Sequence, residues 1–221
     1  DGGEEEFANL NPDCSLDNPG VQLRKVCNHP YMFRGPVDSG GRLVIDERLV
    51  AQSGKMQLLD RMLRILHSRR HKVLIFFQMT RMMDLVQSYV ERLRGWGCCR
   101  IDGRVPLEQR QASIRAFASD PALFCFLLST RSGGSGISLP AADTCIIFES
   151  DFTPQQDLQA QDRCHRIGQT KPVGVYRLVT RGSVEVDVLR RAVRKRKLEL
   201  MAINRKLFKV AHKLRGSTDL A

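Results

Sequence analysis

The sequence predicts an α/β protein in which a parallel sheet carries helices on both faces. Short apolar runs such as residues 73–77 and 123–128 have the length and composition of buried strands. The segments between such runs carry apolar residues at helical spacing, as residues 55–67 do. Strands that alternate with helices are typical of βαβ units, whose right-handed crossovers bring every strand-to-helix loop to one edge of the sheet. We therefore expect ligands to bind at the carboxyl edge of the strands.

The chain opens with an acidic segment, followed by a short helix and a loop. Residues 1–20 contain six acidic and no basic side chains, which predicts a disordered lead-in. A short helix over residues 21–27 is predicted to end at His29-Pro30, because the residue before a proline disfavours the α-helical region. Residues 34–46 contain three glycines and are predicted to form a loop. The spacing of apolar residues predicts the next helix over residues 55–67.

Strands and helices then alternate along the chain. The predicted strands are residues 73–77, 98–101, 123–128, 144–148 and 173–179. Helical spacing over residues 82–93 predicts a helix that ends at Gly95, since glycine commonly terminates helices. Pro106 suits the first position of the following helix. A further helix is predicted over residues 154–165, between the last two strands.

The C-terminal segment, residues 183–214, is predicted to form one long basic helix. From Leu189 to Leu214, eight positions step alternately by four and three residues, and seven of them are apolar, which is the pattern of a coiled-coil seam. Residues 190–215 carry eleven basic side chains and one acidic side chain. The seam is compatible with self-association and with packing back onto the same domain, and we favour the second interpretation.

Composition limits the classes of protein to which the chain can belong. Its 221 residues, of which 42% are hydrophobic and 27% charged, are typical of a globular protein that buries a core without cross-links. No apolar run approaches the roughly 18 residues needed to span a bilayer, so no membrane partner is expected. The net charge of +11 favours a polyanionic partner such as nucleic acid, although a solvated basic helix explains it equally well.

The cysteines and histidines give no indication of a metal site. Seven cysteines without a Cys-x-x-Cys pair argue against a disulfide framework and a structural zinc site, and indicate reduced thiols in the cytosol or nucleus. His29, His165 and His212 are scattered without ligand spacing, so each is predicted to be structural. Asp151 or Thr153, after the fourth strand, suits the N-cap of a helix.

Two segments at the predicted carboxyl edge carry residue types that bind phosphate. The loop 129–138 has three glycines in four residues, so backbone N–H groups can approach an anion closely, although a tight structural turn fits the pattern as well. In the segment 159–169, Arg163 and Arg166 are three residues apart and share one face of a helix. Two guanidinium groups at one place suit a polyphosphate, yet the spacing alone favours a solvated surface helix.

The order of these segments resembles the second motor lobe of superfamily-two helicases, and more narrowly the SWI/SNF-related chromatin-remodelling ATPases. Residues 159–169 match motif VI of that family almost completely, and residues 129–139 resemble its motif V. Three further segments agree with the family: residues 23–30, residues 53–55 and the motif IV-like run 73–80, which ends in Gln78-Met79-Thr80. The likeness covers about residues 21–200, and the run 158–173 resembles the lymphoid-specific-helicase branch.

This resemblance implies a RecA-like fold and a nucleotide site that is shared with another lobe. Motors of this family bind ATP and Mg²⁺ in the cleft between two RecA-like lobes, and the second lobe supplies arginine fingers. By position, Arg163 and Arg166 are implied to be those catalytic fingers. The same likeness implies nucleotide contacts from Gly134, Gly136, Gln159 and Asp162, and nucleic-acid contacts from Gln78, Thr80, Thr130, Arg131 and Phe152.

The resemblance also implies how the chain is divided and what it binds. The implied parts are a disordered acidic lead-in (1–20), an inter-lobe linker with a short helix (21–52), the helicase C-terminal RecA-like lobe (53–182), a brace-like helix (183–214) and a tail (215–221). The implied partners are a first lobe in cis, duplex DNA and nucleosomes, and the implied location is the nucleus. No small-molecule substrate other than ATP is expected.

Features that the sequence lacks limit what the chain can do alone. It contains no P-loop, since Leu49 stands where a glycine would have to precede Gly54-Lys55, and no Asp-Glu-x-His motif for magnesium. We therefore expect no useful ATP hydrolysis without a first lobe. The glycine-rich loop has serine where the family usually has Ala, Leu and Asn, which leaves a non-catalytic DNA-binding module as one alternative. The second alternative is a superfamily-two RNA or DNA helicase lobe of another family.

Overall fold

Five parallel strands form one sheet in the part of the chain that is described. The structure is a computed structural model and describes residues 18–130, 138–151, 153 and 169–215, with side chains up to residue 202. The strands are β1 (Val73–Phe77), β2 (Gly97–Ile101), β3 (Leu123–Ser129), β4 (Thr144–Ile147) and β5 (Gly174–Arg177). They lie in the order β2-β3-β1-β4-β5, and every pairing is parallel. The predicted parallel sheet is confirmed.

Helices flank and connect these strands. The α-helices of the described residues are α1 (Pro19–Asn28), α2 (Arg48–Ala51), α3 (Gly54–Ser68), α4 (Thr80–Ser88), α5 (Leu107–Ser119) and α6 (Val184–Arg215). Side-chain caps fix the start of two of them, because Asn18 accepts the N–H of Val21 and Ser53 accepts the N–H of Met56, each over 3.3 Å. None of the described helices is both long enough and apolar enough to cross a membrane.

The side chains of β1 point alternately into two separate cores. Ile75 and Phe77 are buried on one face of the sheet, in a core that includes residues of α3 and α4. Leu74 and Phe76 are buried on the other face, where Phe117 of α5 packs against them. Both faces of the sheet are therefore covered, as the continuous apolar character of the strands predicts.

Helices α4, α5 and α2 differ most from the sequence predictions. The helix predicted over residues 82–93 begins at Thr80, and its last turn, Tyr89–Leu93, is a π-helix. It stops before Gly95, whose φ of 68° is in the left-handed region that favours glycine. Pro106 precedes α5 instead of opening it, because its ψ of 154° is extended. Helix α2 was not predicted, since a helix of four residues is too short to show a helical period.

Helix α6 packs back onto its own domain through its first turns. Glu185, Val188 and Ala192 are buried, and the helix contacts α1. The predicted seam lies to one side of this stripe, since Val193 is 60% and Leu200 53% exposed. Helix α6 therefore packs onto its own domain as expected. The prediction that the seam residues make this contact was wrong for Val193 and Leu200.

Several predicted segments fall outside the described residues. The acidic lead-in is described only from residue 18, and neither the helix predicted over residues 154–165 nor the tail from residue 216 is described. Helix α1 begins at Pro19, within the predicted lead-in, and it ends before His29-Pro30 as expected.

Candidate functional site

The carboxyl edge of the sheet joins the ends of β1, β3 and β4 by hydrogen bonds. Thr130 follows β3, and its N–H and hydroxyl both donate to the carbonyl of Phe77 at the end of β1, over 2.9 and 3.2 Å. On the other side of β1, the N–H of Phe148 donates to the carbonyl of Phe76 over 3.0 Å. The loops that follow these strands therefore start from fixed relative positions.

Glu149 follows β4 and holds the loop that follows β1. Its Oε2 accepts the N–H of Gln78 over 2.6 Å and that of Met79 over 2.8 Å, and its Oε1 accepts the side-chain amide of Asn28 on α1. The side chain is 1% exposed. Burial raises the pKa of the Glu149 carboxyl, while the N–H donors and the nearby cationic side chains oppose this shift.

Lys55, in the first turn of α3, lies at the centre of the same buried region. Its Nζ donates to Asn28 Oδ1 and to the carbonyl of Phe148, each over 3.0 Å, and forms an ion pair with Glu185 of α6. It also lies 5.1 Å from the centroid of the Phe148 ring. The second oxygen of Glu185 accepts the N–H of Thr180 over 2.9 Å. Every donor of the ammonium group is therefore used inside the protein.

These side chains form one connected set, which we call the buried polar network: Asn28, Ser53, Lys55, Glu149 and Glu185. Ser53 completes it by donating its hydroxyl to the carbonyl of Asn28 over 2.6 Å. All five members are buried. The network ties α1, α3, α6 and the loop after β1 to the end of β4, so these elements cannot shift independently.

The segment Gln78-Met79-Thr80 presents polar groups from this supported position. Thr80 is exposed at the start of α4. The Nε2 of Gln78 is buried and makes no hydrogen bond to any described residue. An amide donor without a partner and an exposed hydroxyl thus lie on a backbone that Glu149 holds in place.

Gln169 holds the chain that follows the glycine-rich loop. Its Nε2 donates to the carbonyl of Pro140 over 3.0 Å and to that of Ala142 over 2.7 Å. Pro140 lies just beyond the glycine-rich loop 129–138, and Gln169 is the last residue of the segment 159–169 with its two arginines. Ala142 precedes Asp143, whose N–H donates to the carbonyl of Lys72 before β1, so this contact lies at the amino edge of the sheet, where β4 and β5 begin.

Comparison with known protein families accounts for this arrangement. The sequence profile described as "Helicase conserved C-terminal domain" matches residues 54–168, slightly more than half of the chain. The chain belongs to the helicase conserved C-terminal domain family. The match begins at the first residue of α3 and ends immediately before Gln169, so it includes Lys55, Glu149, the glycine-rich loop and both Arg163 and Arg166.

Several curated proteins are similar to this helicase C-terminal domain. The lymphoid-specific helicase of Homo sapiens is 52% identical over 88% of this chain and 23% of its own length. The ATP-dependent DNA helicase DDM1 of Arabidopsis thaliana is 51% identical over 87% of this chain and 25% of its own length. The SWI/SNF-related matrix-associated actin-dependent regulator of chromatin subfamily A member 1 of Homo sapiens is 48% identical over 83% of this chain and 18% of its own length. The predicted resemblance is confirmed, and the chain spans a quarter or less of these relatives.

A solved structure agrees with the fold of the helicase C-terminal domain. "Crystal structure of the C-terminal part of Fun30 ATPase domain" superposes with a TM-score of 0.65 and 34% sequence identity. The superposition covers 78% of this chain and 53% of that chain. The RecA-like fold implied by the sequence is therefore confirmed.

The structure places three predicted nucleic-acid-binding residues at the carboxyl edge of this helicase domain: Gln78, Thr80 and Thr130. The hydroxyl and the N–H of Thr130 both donate to the carbonyl of Phe77, so the hydroxyl must turn away from Phe77 before it can donate to a phosphate. The other predicted site residues lie outside the described residues, and their roles stay predictions: Arg131, Gly134, Gly136, Phe152, Gln159, Asp162, Arg163 and Arg166. Within the described residues, no three or more His, Cys, Asp or Glu side chains are grouped to hold a metal ion.

Sequence reasoning did not find the buried polar network of the helicase domain. The sequence marks Lys55 only as part of a segment that resembles the family, and it assigns no role to Glu149 or Glu185. One available signal was the carboxylate of Glu149 directly after an apolar strand, where a charge is costly unless it has partners. The identity of these partners was not available from the sequence, since Glu149 lies 71 residues from Gln78 and Lys55 lies 130 residues from Glu185.

Proposed function

We propose that this chain is the second motor lobe of an ATP-dependent enzyme that translocates on duplex DNA and remodels chromatin. Relatives are named "ATP-dependent DNA helicase DDM1" and "ISWI chromatin-remodeling complex ATPase CHR17", both of Arabidopsis thaliana. The family match over residues 54–168 carries the proposal, because it includes the glycine-rich loop and both Arg163 and Arg166. These two segments follow the parallel strands β3 and β4, so both start from the carboxyl edge of the sheet and can act on one nucleotide there.

The nucleotide is shared with a first lobe in cis, since this chain contains no P-loop. ATP supplies the phosphoanhydride bond that is cleaved, and Mg²⁺ neutralises charge on its phosphates. Arg163 and Arg166 stabilise the charge that develops on the transferred phosphoryl group, in the manner of arginine fingers. The remaining nucleotide contacts come from Gly134, Gly136, Gln159 and Asp162.

Duplex DNA in this proposal runs along the carboxyl edge of the sheet. Its backbone is contacted by residues from three loops: Gln78, Thr80, Thr130, Arg131 and Phe152. Opening and closing of the two lobes moves the motor along the duplex, and on nucleosomal DNA in the nucleus this shifts the nucleosome. A phosphate contact transmits such movement only if its backbone is rigid, and Glu149 supplies this rigidity to Gln78 and Met79.

Replacing one finger in the full-length protein with both lobes tests the proposal. An arginine finger contributes about 10³- to 10⁵-fold to the rate of phosphoryl transfer, so Arg166→Ala should lower DNA-stimulated ATP hydrolysis by about that factor. ATP binding should persist, because the first lobe provides most of it. Arg115→Ala removes an exposed arginine of α5 and is the matched control, with unchanged turnover. Near-normal hydrolysis by Arg166→Ala would refute the assignment.

The same protein distinguishes the alternative functions. Stronger stimulation of ATP hydrolysis by duplex DNA than by structured RNA supports a DNA translocase, and the reverse order indicates an RNA helicase lobe. If neither nucleic acid stimulates hydrolysis in a protein with both lobes, the chain is a non-catalytic binding module.

A further inference from the structure

Two segments of opposite charge have no role in the proposed function. Residues 1–17, which we call the acidic segment, contain six acidic and no basic side chains. Residues 190–197 of α6, which we call the basic run, contain six basic and no acidic side chains. The acidic segment lies outside the described residues, whereas the basic run is described with its side chains.

The basic run presents its charges to solvent. Its charged members are all exposed: Arg190, Arg191, Arg194, Lys195, Arg196 and Lys197. Among the described residues, the one carboxylate that pairs with the run is that of Asp187, 3.4 Å from Arg190. Like charges three or four residues apart on a helix repel one another, and Arg194 has such neighbours in both directions. The described part of the chain therefore leaves most of this positive charge unbalanced.

Apolar side chains lie among these charges. Val193 and Leu198 on the same stretch of α6 are 60% and 59% exposed. The acidic segment carries apolar side chains of its own, at Phe7, Leu10 and Leu16. Burial of apolar surface is favourable, so contact between the two segments gains from apolar packing as well as from charge. The backbone of duplex DNA offers the charge but no apolar side chains, which favours an acidic polypeptide as the occupant.

The acidic segment starts close enough to reach the basic run. It leads into α1, which begins at Pro19 and contacts α6. Asn28, at the other end of α1, is hydrogen-bonded to Lys55, whose ammonium group pairs with Glu185 in the first turn of α6. At 1.5 Å per residue, α1 is about 15 Å long and the basic run lies about 8–18 Å along α6 from Glu185. The extended acidic segment spans up to about 55 Å, so it reaches the basic run whichever way α1 points.

We propose that the acidic segment docks onto the exposed basic run of the same chain. Each exposed ion pair adds little by itself. The covalent connection supplies an effective concentration of about a millimolar, so several weak pairs and a few apolar contacts suffice to hold the segment. A polyanion that binds this part of α6 must then displace the acidic segment. The inference goes beyond the proposed function and does not depend on it, since no nucleotide or DNA contact enters it.

Carbodiimide coupling in the 221-residue chain tests the docking. The reagent joins carboxylates to lysine amines that they contact, with loss of water, and mass spectrometry of the digested monomer identifies the joined residues. We expect the acidic segment to couple to Lys195 and Lys197. Lys171 is the internal reference, because it is 67% exposed and precedes β5, whereas α6 follows the other end of that strand. Coupling to Lys195 and Lys197 should exceed coupling to Lys171 several-fold, and it should fall in about 1 M salt, where the screening length is about 3 Å.

A charge variant provides a second measurement. It keeps both lysines as acceptors and replaces three arginines of the basic run: Arg191→Gln, Arg194→Gln and Arg196→Gln. Coupling of the acidic segment to Lys195 and Lys197 should fall by about threefold or more. The matched control replaces three exposed arginines outside α6: Arg69→Gln, Arg92→Gln and Arg115→Gln. This control should couple as the wild type does.

The outcomes decide between the acidic segment and other occupants. Equal coupling to Lys171, or coupling that does not change with salt, overturns the docking. Coupling that is found only in dimers also overturns it and assigns the basic run to a second copy of the chain. If duplex DNA protects Lys195 and Lys197 from acetylation and the acidic segment does not couple to them, the basic run binds DNA instead. The salt measurement uses the wild-type chain, so it decides the matter even if the triple variant has a lowered thermal unfolding midpoint. Failure of the docking leaves the proposed function standing.

Discussion

Two clusters of charged side chains join helices to one another in this protein, and they differ in exposure. One is the buried polar network, in which the side chains of Lys55 and Glu185 are 5% and 7% exposed. The other, which we call the Asp60 cluster, consists of Glu47, Asp60, Arg64, Tyr89 and Arg94. Asp60 accepts hydrogen bonds from the hydroxyl of Tyr89 and from the Nε atoms of Arg64 and Arg94. The outer members of this cluster are open to water, with Arg64 54% and Glu47 67% exposed.

The comparison shows that ion pairs contribute differently to the buried polar network and to the Asp60 cluster. A buried charge that loses its partner cannot be rehydrated, so the buried polar network enforces a single arrangement of its elements. An exposed side chain such as Glu47 makes a pair that is screened by water and adds little, although Asp60 and Arg94 at the centre of the cluster are each only 11% exposed. The network holds the loop with Gln78 and Met79, whereas none of the five members of the Asp60 cluster was predicted to be a site residue. The costly charges are thus located where the proposed function needs a fixed backbone.

The largest expected effect is that of Lys55→Met. This variant leaves the carboxylate of Glu185 buried without its cation and removes one of the two cationic side chains near Glu149. Breaking a buried pair in this way costs about 3–5 kcal/mol. The free energy of unfolding, from urea denaturation at pH 7, measures the loss. Adding Glu185→Leu to Lys55→Met removes one stranded carboxylate and should recover a large part of it. A loss below about 1 kcal/mol would mean that the buried polar network contributes no more than ordinary surface pairs, and would refute the difference between the two clusters.

Asp60→Asn should have a smaller effect that depends on pH. Burial tends to raise the pKa of Asp60, but hydrogen bonds from Tyr89, Arg64 and Arg94 outweigh it and hold the pKa below its ordinary value. The stability that the carboxylate provides is therefore present above its unfolded pKa of about 4 and is lost as the pH falls through the lower folded pKa. We expect the variant to be less stable by about 1.5–3 kcal/mol at pH 7, the usual range for hydrogen bonds to charged groups.

Urea denaturation of the wild type and Asp60→Asn from pH 7 to pH 2 checks this sign. The difference between the two proteins should be constant above about pH 5 and should shrink below pH 4. A difference that stays the same at every pH would show that the amide replaces the carboxylate as an acceptor, and that the charge of Asp60 is unimportant.

The two clusters also differ from the strands in how far the sequence predicts them. Strand β1 was predicted residue for residue, because an apolar run is a local pattern. The rotation of α6 about its axis was not predicted, because the spacing of apolar residues does not show which stripe of the helix is buried. In the structure, Glu185 is paired with Lys55, 130 residues away, and Val193 is exposed to solvent.

The candidate site likewise contains residues that the sequence predicts and residues that it does not. Gln78 and Thr80 were predicted through the likeness of a short segment to a known motif, and they do lie at the carboxyl edge. Glu149, which holds that segment, belongs to no recognised motif, and its partners Asn28 and Gln78 are 121 and 71 residues away. Local patterns therefore indicate which residues face a ligand, while the support behind them depends on the tertiary structure.

The smallest expected effect is that of Glu47→Ala, at the exposed end of the Asp60 cluster. Glu47 binds the guanidinium of Arg94 through both carboxylate oxygens, and this hydrogen bonding lowers the pKa of Glu47. Because Glu47 is largely exposed, we expect a loss of only about 0.2–1 kcal/mol in the free energy of unfolding, with a further decrease of the effect in high salt. Arg94 keeps its bond to Asp60 over 2.8 Å, so no buried charge is left unpaired. A loss as large as that of Lys55→Met would mean that exposure does not distinguish the two clusters, and that the geometry of the hydrogen bonds does.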